Sequence, residues 1–132
     1  CEILSPFYVD YGTNISIGEG TFINHGAYLM DCAPIAIGDS CFIGPCLGAY
    51  TAQHPLVAEQ RNTGLERALP ITIGDNCWLG ASVTIMPGVT IGEGCVIGAG
   101  SLVTHDIPAG SIAMGSPAHV VRTITDADRI ER

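Results

Sequence analysis

Lysine is missing from these 132 residues, and arginine occurs five times against 13 acidic side chains, for a net charge of −8. A basic stripe is the footprint of a nucleic-acid partner, so that class is excluded. Long apolar runs are missing as well. None approaches the length of a membrane span, and no basic-then-apolar leader opens the chain, so no membrane partner is expected. The chain begins at Cys1 and not at methionine, which points to a trimmed N-terminus. Cysteines at metal-ligand spacing are also missing: among the six, Cys1, Cys32 and Cys46 show neither CxxC nor CxxxxH. The other three share one position of a repeat, where Cys acts as a small hydrophobe. Structural thiols are expected, with no metal, and with them a reducing, cytoplasmic compartment. The length fits one domain over residues 1–132, and a hydrophobic fraction of 47% can fill a narrow continuous core.

What the chain does have is a returning phrase: Ile15-Ser16-Ile17-Gly18-Glu19, Ile35-Ala36-Ile37-Gly38-Asp39, Ile71-Thr72-Ile73-Gly74-Asp75 and Val89-Thr90-Ile91-Gly92-Glu93. The starts lie 20, 36 and 18 residues apart, close to one, two and one turns of three six-residue sides. Counting in sixes gives Ile17, Ile23 and Leu29, then Ile37 and Ile43 after a two-residue slip. After a break the count runs through Ile73, Leu79, Ile85, Ile91, Ile97 and Val103. Four residues after each frame position comes a small or slim side chain, among them Thr21, Ala27, Ala33, Cys41, Cys77, Val83, Val89, Cys95 and Ser101. Gly18, Gly38, Gly44, Gly74, Gly80, Gly92 and Gly98 follow the frame directly and read as flexible corners. A large inward group, a corner and a small inward group suit a triangular coil of short strands, and neither a 3.6-residue period nor plain alternation fits. The expected fold is therefore all-β, a parallel β-helix of hexapeptide repeats with four to five coils stacked at roughly 4.8 Å. One long excursion loop at about 53–70 and a short C-terminal helix complete it. Glu19, Asp39, Asp75 and Glu93 fall at outward corners, where solvated carboxylates keep stacked strands soluble.

Function in such a fold sits where the repeat breaks. Gln53 to Pro70 lacks frame residues and concentrates His54, Glu59, Arg61, Glu66 and Arg67 in a chain only 14% charged. His54 opens this loop directly after Ala49-Tyr50-Thr51-Ala52, and an imidazole is a good general base for a hydroxyl or thiol. A surface or core histidine is the alternative. Asn24 stands where most coils place Gly, offering a donor and acceptor pair to a hydroxyl-bearing ligand. Asp31, just before the slip, and Asp10, in Phe7-Tyr8-Val9-Asp10-Tyr11-Gly12, are further candidates for such a ligand. Trp78 follows the small-position Cys77 and should point outward, to a sugar face, a cofactor or another subunit.

These residues resemble the hexapeptide-repeat acyltransferases, and within them the maltose and galactoside O-acetyltransferase branch. The resemblance is carried by FYVDYG (7–12), Phe22-Ile23-Asn24, TAQHP (51–55) with RNTGLE (61–66), PITIGDNCWLG (70–80), PGVTIG (87–92), VIGAGSLV (96–103) and Gly115-Ser116-Pro117-Ala118. It implies a left-handed coil and a homotrimer with active sites between subunits. It implies His54 as the catalytic base, Asn24 and Asp10 as contacts of an acceptor sugar, and Trp78 beside that pocket. It further assigns Ala81, Ala99, Thr104 and Arg122 to coenzyme A, with acetyl-CoA as co-substrate and no metal. His105 stands where a lysine is usual and His119 where an arginine is usual. Cys32 stands where relatives often carry a second acceptor-side acid or an apolar residue, which leaves Asp31 as a looser candidate. The helical segment that precedes the repeats in the family is absent from this chain.

The implied chemistry is direct acetyl transfer, because no Ser or Cys shows a nucleophile arrangement with a base. A zinc carbonic anhydrase of similar fold would need a second loop histidine where Glu59 stands. A xenobiotic acetyltransferase, or a non-catalytic structural trimer with a decayed site, are the other readings.

Overall fold

The computed structural model describes residues 1–131, and the six-residue frame forms the inner wall of a three-faced prism. The first face carries, in stacking order, Glu2–Ile3, Phe22–Ile23, Phe42–Ile43, Trp78–Leu79, Val96–Ile97, Ser111–Gly115 and Ala118–Thr123. The second carries Phe7–Val9, Ala27–Met30, Gly48–Tyr50, Thr84–Ile85 and Leu102–Val103, one strand for each of five coils. The third carries Ile15–Ile17, Ile35–Ile37, Ile71–Ile73 and Thr90–Ile91, and Ile107 extends it through a parallel bridge to Ile91. Equivalent repeat positions pair in register, as Phe22 with Phe42 and Trp78 with Val96.

Stacking in register puts like residues above like. Ile23, Leu29, Ile43, Leu79, Ile85, Ile91, Ile97 and Val103 are at most 1% exposed, each contributing about 1.5–3 kcal/mol by burial. The small column is buried too. Thr21, Cys41, Cys77 and Cys95 share its position, and the three thiols donate to the carbonyls of Gly74, Gly92 and Pro108 at 3.1–3.2 Å. All six cysteines are free thiols.

The glycines of the repeating phrase serve closeness and not flexibility. None has a positive φ; a Cβ at Gly44 or Gly80 would stand 2.7 Å from the backbone of the next coil. At Gly18 the space of the missing Cβ is filled by the Asp39 carboxylate, and at Gly38 by that of Asp75. Those carboxylates accept the backbone N–H of Glu19 at 2.9 Å and of Asp39 at 2.8 Å. Glycine and aspartate thus form one device across two coils. The left-handed backbone sits two residues further on, at Ser40, Cys46, Asn76 and Ser82 with φ of 54–62°. We expect Asp75→Ala to destabilise the fold by about 1 kcal/mol, below the usual worth of a bond to a charged group because water at this exposed corner replaces the carboxylate, and Asp75→Asn by much less. Glu93→Ala, at the same corner one coil on, should stay within about 0.5 kcal/mol. Urea unfolding of the three variants checks this ordering.

Two elements depart from the frame. The excursion is closed at its neck by an antiparallel pair, Ala52–Gln53 with Arg67–Ala68, and holds a short helix, Ala58–Asn62. At the other end Ser111–Gly115 and Ala118–Thr123 form an antiparallel hairpin that caps the first face. The expected C-terminal helix is a single 3-10 turn, Asp126–Asp128. Among the described residues no helix is long and apolar enough to cross a membrane.

Candidate functional site

His54 leaves the last paired residue of the excursion's neck, because Gln53 is held opposite Arg67 and Pro55 cannot continue the pairing. Its ring is exposed, and no hydrogen bond holds it among the described residues. It borders a cleft of about 320 Å³ lined by Gln53, Pro55, Leu56, Gln60, Leu65, Glu66 and Arg67. The walls are fixed from within the loop. Arg61 donates to the carbonyls of Pro55 and Leu56 at 3.2 and 3.4 Å, tying the helix to the loop entrance. Oriented to meet the guanidinium, the Gln53 amide oxygen accepts from Arg67 at 3.1 and 3.3 Å. Sequence reasoning named Glu66 and Arg67 only as loop charges and did not single out Gln53 or Gln60. A polar residue one position before the histidine, facing an arginine across the neck, is the signal that was there.

The candidate residues fall along two edges of the prism. Asp10, His54, Thr104 and His105 lie on the edge between the second and third faces, in the first, third and fifth coils. Thr104 Oγ1 meets His105 Nδ1 at 2.9 Å. Asn24, Ala81 and Ala99 lie on the edge between the first and second faces, and Trp78 stands 58% exposed on the first face, next to an equally outward Phe42. A side of six residues at about 3.3 Å each puts these edges about 20 Å apart. One chain alone does not bring them together.

Other assignments change in their surroundings. Asp31 is fully buried, and its carboxylate accepts the backbone N–H groups of Asp10, Tyr11, Gly12 and Asn14 at 2.8–3.2 Å. Burial pushes its carboxyl up, but the donors from Tyr11, Asn14 and Gly12 outweigh this and hold it below the usual carboxylate range. The expectation that Asp31 faces an acceptor is therefore corrected: it organises the 10–14 loop that carries Asp10. The Asn24 side-chain oxygen accepts from the His25 N–H at 2.7 Å, which leaves its amide N–H₂ to a ligand. Arg122 and His119 lie on the outer strand of the terminal hairpin. Arg122 is gripped in a bidentate pair by Asp128 at 2.7 and 2.9 Å, and that pair holds the Asp128 carboxyl down to about 2. An anion at Arg122 would share the guanidinium with Asp128.

Burial first, then the hydrogen bond and charge of Asp10 and the charges of Glu66 and Asp31, push the Cys32 thiol up, away from the thiolate that a nucleophile needs. Among the described residues no cluster of three His, Cys, Asp or Glu side chains could hold a metal ion.

The family profile described as "Bacterial transferase hexapeptide (six repeats)" matches residues 70–105. Nodulation protein L of Rhizobium meliloti is 49% identical over 89% of this chain, which spans 64% of that protein's length, less than two thirds. A maltose O-acetyltransferase from Clostridium difficile is 44% identical, with a TM-score of 0.93 over 95% of this chain and 67% of its own. A hexapeptide-repeat acetyltransferase from Vibrio cholerae, solved with acetyl coenzyme A, is 40% identical, with a TM-score of 0.91 over 96% of this chain and 68% of its own. With its coils superposed on those of these relatives, the chain belongs to the hexapeptide-repeat acyltransferases.

Proposed function

We propose that this chain is an acetyl-CoA-dependent O-acetyltransferase that acts on a hydroxyl of a sugar or similar small acceptor. The observation that carries this reading is His54 itself, exposed at the mouth of a cleft of mixed polar and apolar lining whose neck is fixed by strand pairing. His54 takes the proton of the acceptor hydroxyl as its oxygen bonds to the thioester carbonyl carbon. The carbon–sulfur bond then breaks, and the coenzyme A thiolate leaves with the proton from the imidazolium. Backbone N–H groups at a coil corner stabilise the oxyanion between these steps. Direct transfer is favoured over an acyl-enzyme because no Ser or Cys shows a nucleophile arrangement with a histidine base; the Cys32 thiol faces the Asp10 carboxylate at 3.5 Å.

The two edges explain why the reading includes a homotrimer. In a cyclic assembly the edge bearing His54, Asp10, Thr104 and His105 meets the neighbour's edge bearing Asn24, Ala81 and Ala99, with Trp78 alongside. Exposed Leu56, Val57 and Leu65 on the excursion, and Phe42 and Trp78 on the first face, are the apolar groups such contacts would cover. Acetyl-CoA is the co-substrate, and the Vibrio cholerae relative solved with it supports this.

The test pairs sedimentation with a transfer assay. A trimer at micromolar concentration is expected, together with acetylated product, read by mass spectrometry, that requires both acetyl-CoA and maltose or a methyl galactoside. Coenzyme binding without transfer to any sugar would discard the acceptor class. A monomer that binds no coenzyme would discard the enzyme.

A further inference from the structure

Tyr28 stands on the outer surface of the second face, paired with Tyr8 in the coil before and Gly48 in the coil after. Gly48 leaves a notch above it, and Tyr50 leans into that notch: a Cβ at Gly48 would meet the Tyr50 ring and hydroxyl at 2.6–2.8 Å. The two rings meet edge to face, with centroids 5.8 Å apart and planes at 78°. Clamped in this way, Tyr28 reaches back one coil and donates its hydroxyl to Asp10 Oδ1, while the Cys32 thiol points at Oδ2 from 3.5 Å. The main chain of Asp10 is tied separately, through its N–H to buried Asp31.

We infer that Tyr28 is a positioning residue for Asp10 and so a determinant of acceptor choice, an inference that rests on the proposed sugar-acetylating function. An exposed aspartate on a loop samples several rotamers, and each would point its acceptor oxygens differently. The tyrosine hydroxyl selects one, and each carboxylate oxygen keeps a lone pair for an incoming hydroxyl. The Tyr28 hydroxyl remains a donor, because its bond to Asp10, with a smaller contribution from burial, pushes its ionisation up. The Tyr28 ring, backed edge-on by Tyr50, sets an aromatic surface beside this carboxylate, the combination that favours a ring-shaped polyol over an open-chain alcohol.

The experiment is steady-state kinetics of Tyr28→Phe on maltose and a methyl galactoside. Phenylalanine keeps the ring contact with Tyr50 and removes only the donor. The acceptor KM should rise roughly threefold to tenfold, with the acetyl-CoA KM, saturated kcat and melting temperature unchanged. Asp10→Asn should raise the same KM, and the double variant should be no worse than Asp10→Asn alone. An unchanged acceptor KM, an acetyl-CoA KM that moves with it, or effects that multiply in the double variant would each overturn the inference. Wild-type protein that acetylates none of these sugars overturns the functional reading instead. In that case phenolate titration of wild type against Asp10→Asn still tells whether Tyr28 is bound to the carboxylate, so the two failures are distinct.

Discussion

His54→Ala lowers kcat by roughly 10²–10⁴ and leaves the fold, the assembly and the acetyl-CoA KM as they were. The size follows from what a positioned general base contributes, and the selectivity follows from where His54 stands. Its ring is exposed and makes no hydrogen bond among the described residues, so its removal leaves neither a cavity nor an orphaned donor. The neck beneath it is held by main-chain pairing of Gln53 with Arg67 and Ala52 with Ala68, and by the Leu69 N–H to the Thr51 carbonyl at 2.9 Å. None of these bonds needs the imidazole. Stopped assays with acetylated maltose as the readout decide the matter, with circular dichroism and sedimentation as controls. A variant that turns over at the wild-type rate would make His54 an ordinary loop histidine.

The solenoid was legible in the sequence because its cause is periodic. Every turn needs a wide apolar residue and a slim one at fixed offsets, and Ile23, Ile43, Leu79 and Ile97, with Cys41, Cys77 and Cys95, mark those offsets plainly. The excursion was legible for the opposite reason, since Gln53 to Pro70 lacks the offsets. What pattern could not supply was the direction of hydrogen bonds. Asp39 and Asp75 looked like solvated corner charges and turn out to accept backbone N–H groups one coil back. Arg122, which the resemblance assigns to coenzyme A, is paired with Asp128, six residues on, by a turn that follows a hairpin without the six-residue frame. Tyr28 carried no sequence mark beyond its outward position, because its partner Asp10 lies in the preceding coil. The two edges of the candidate site were visible as residues but not as a distance. Only the assignment of strands to faces shows that one chain keeps them apart.

Asp31→Ala destabilises the protein by about 3–5 kcal/mol at pH 7, the largest loss expected of any polar substitution considered. Four backbone N–H groups donate to this one carboxylate. At about 1.5–3 kcal/mol for each bond to a charged group, the gross sum would exceed the prediction. Two effects reduce it: the carboxylate is fully buried, which costs solvation, and the loop at 10–14 is exposed enough for freed donors to find water. The sign with pH is fixed by the depressed carboxyl. A group whose folded pKa lies below its unfolded value of about 3.9 contributes its full stability above that value, and loses it as pH falls through the folded pKa. The gap between wild type and Asp31→Ala should therefore be constant from pH 7 to about pH 5 and narrow below about pH 4. Asp31→Asn should not rescue, since its N–H₂ would face two of the donors. Because the loop carries Asp10, both variants should also raise the acceptor KM under conditions where they remain folded, coupling a buried carboxylate to an exposed one. Urea midpoints across this pH range are the measurement. A loss under 1 kcal/mol, or a gap as wide at pH 3 as at pH 7, would mean that the charge on Asp31 does not hold the loop.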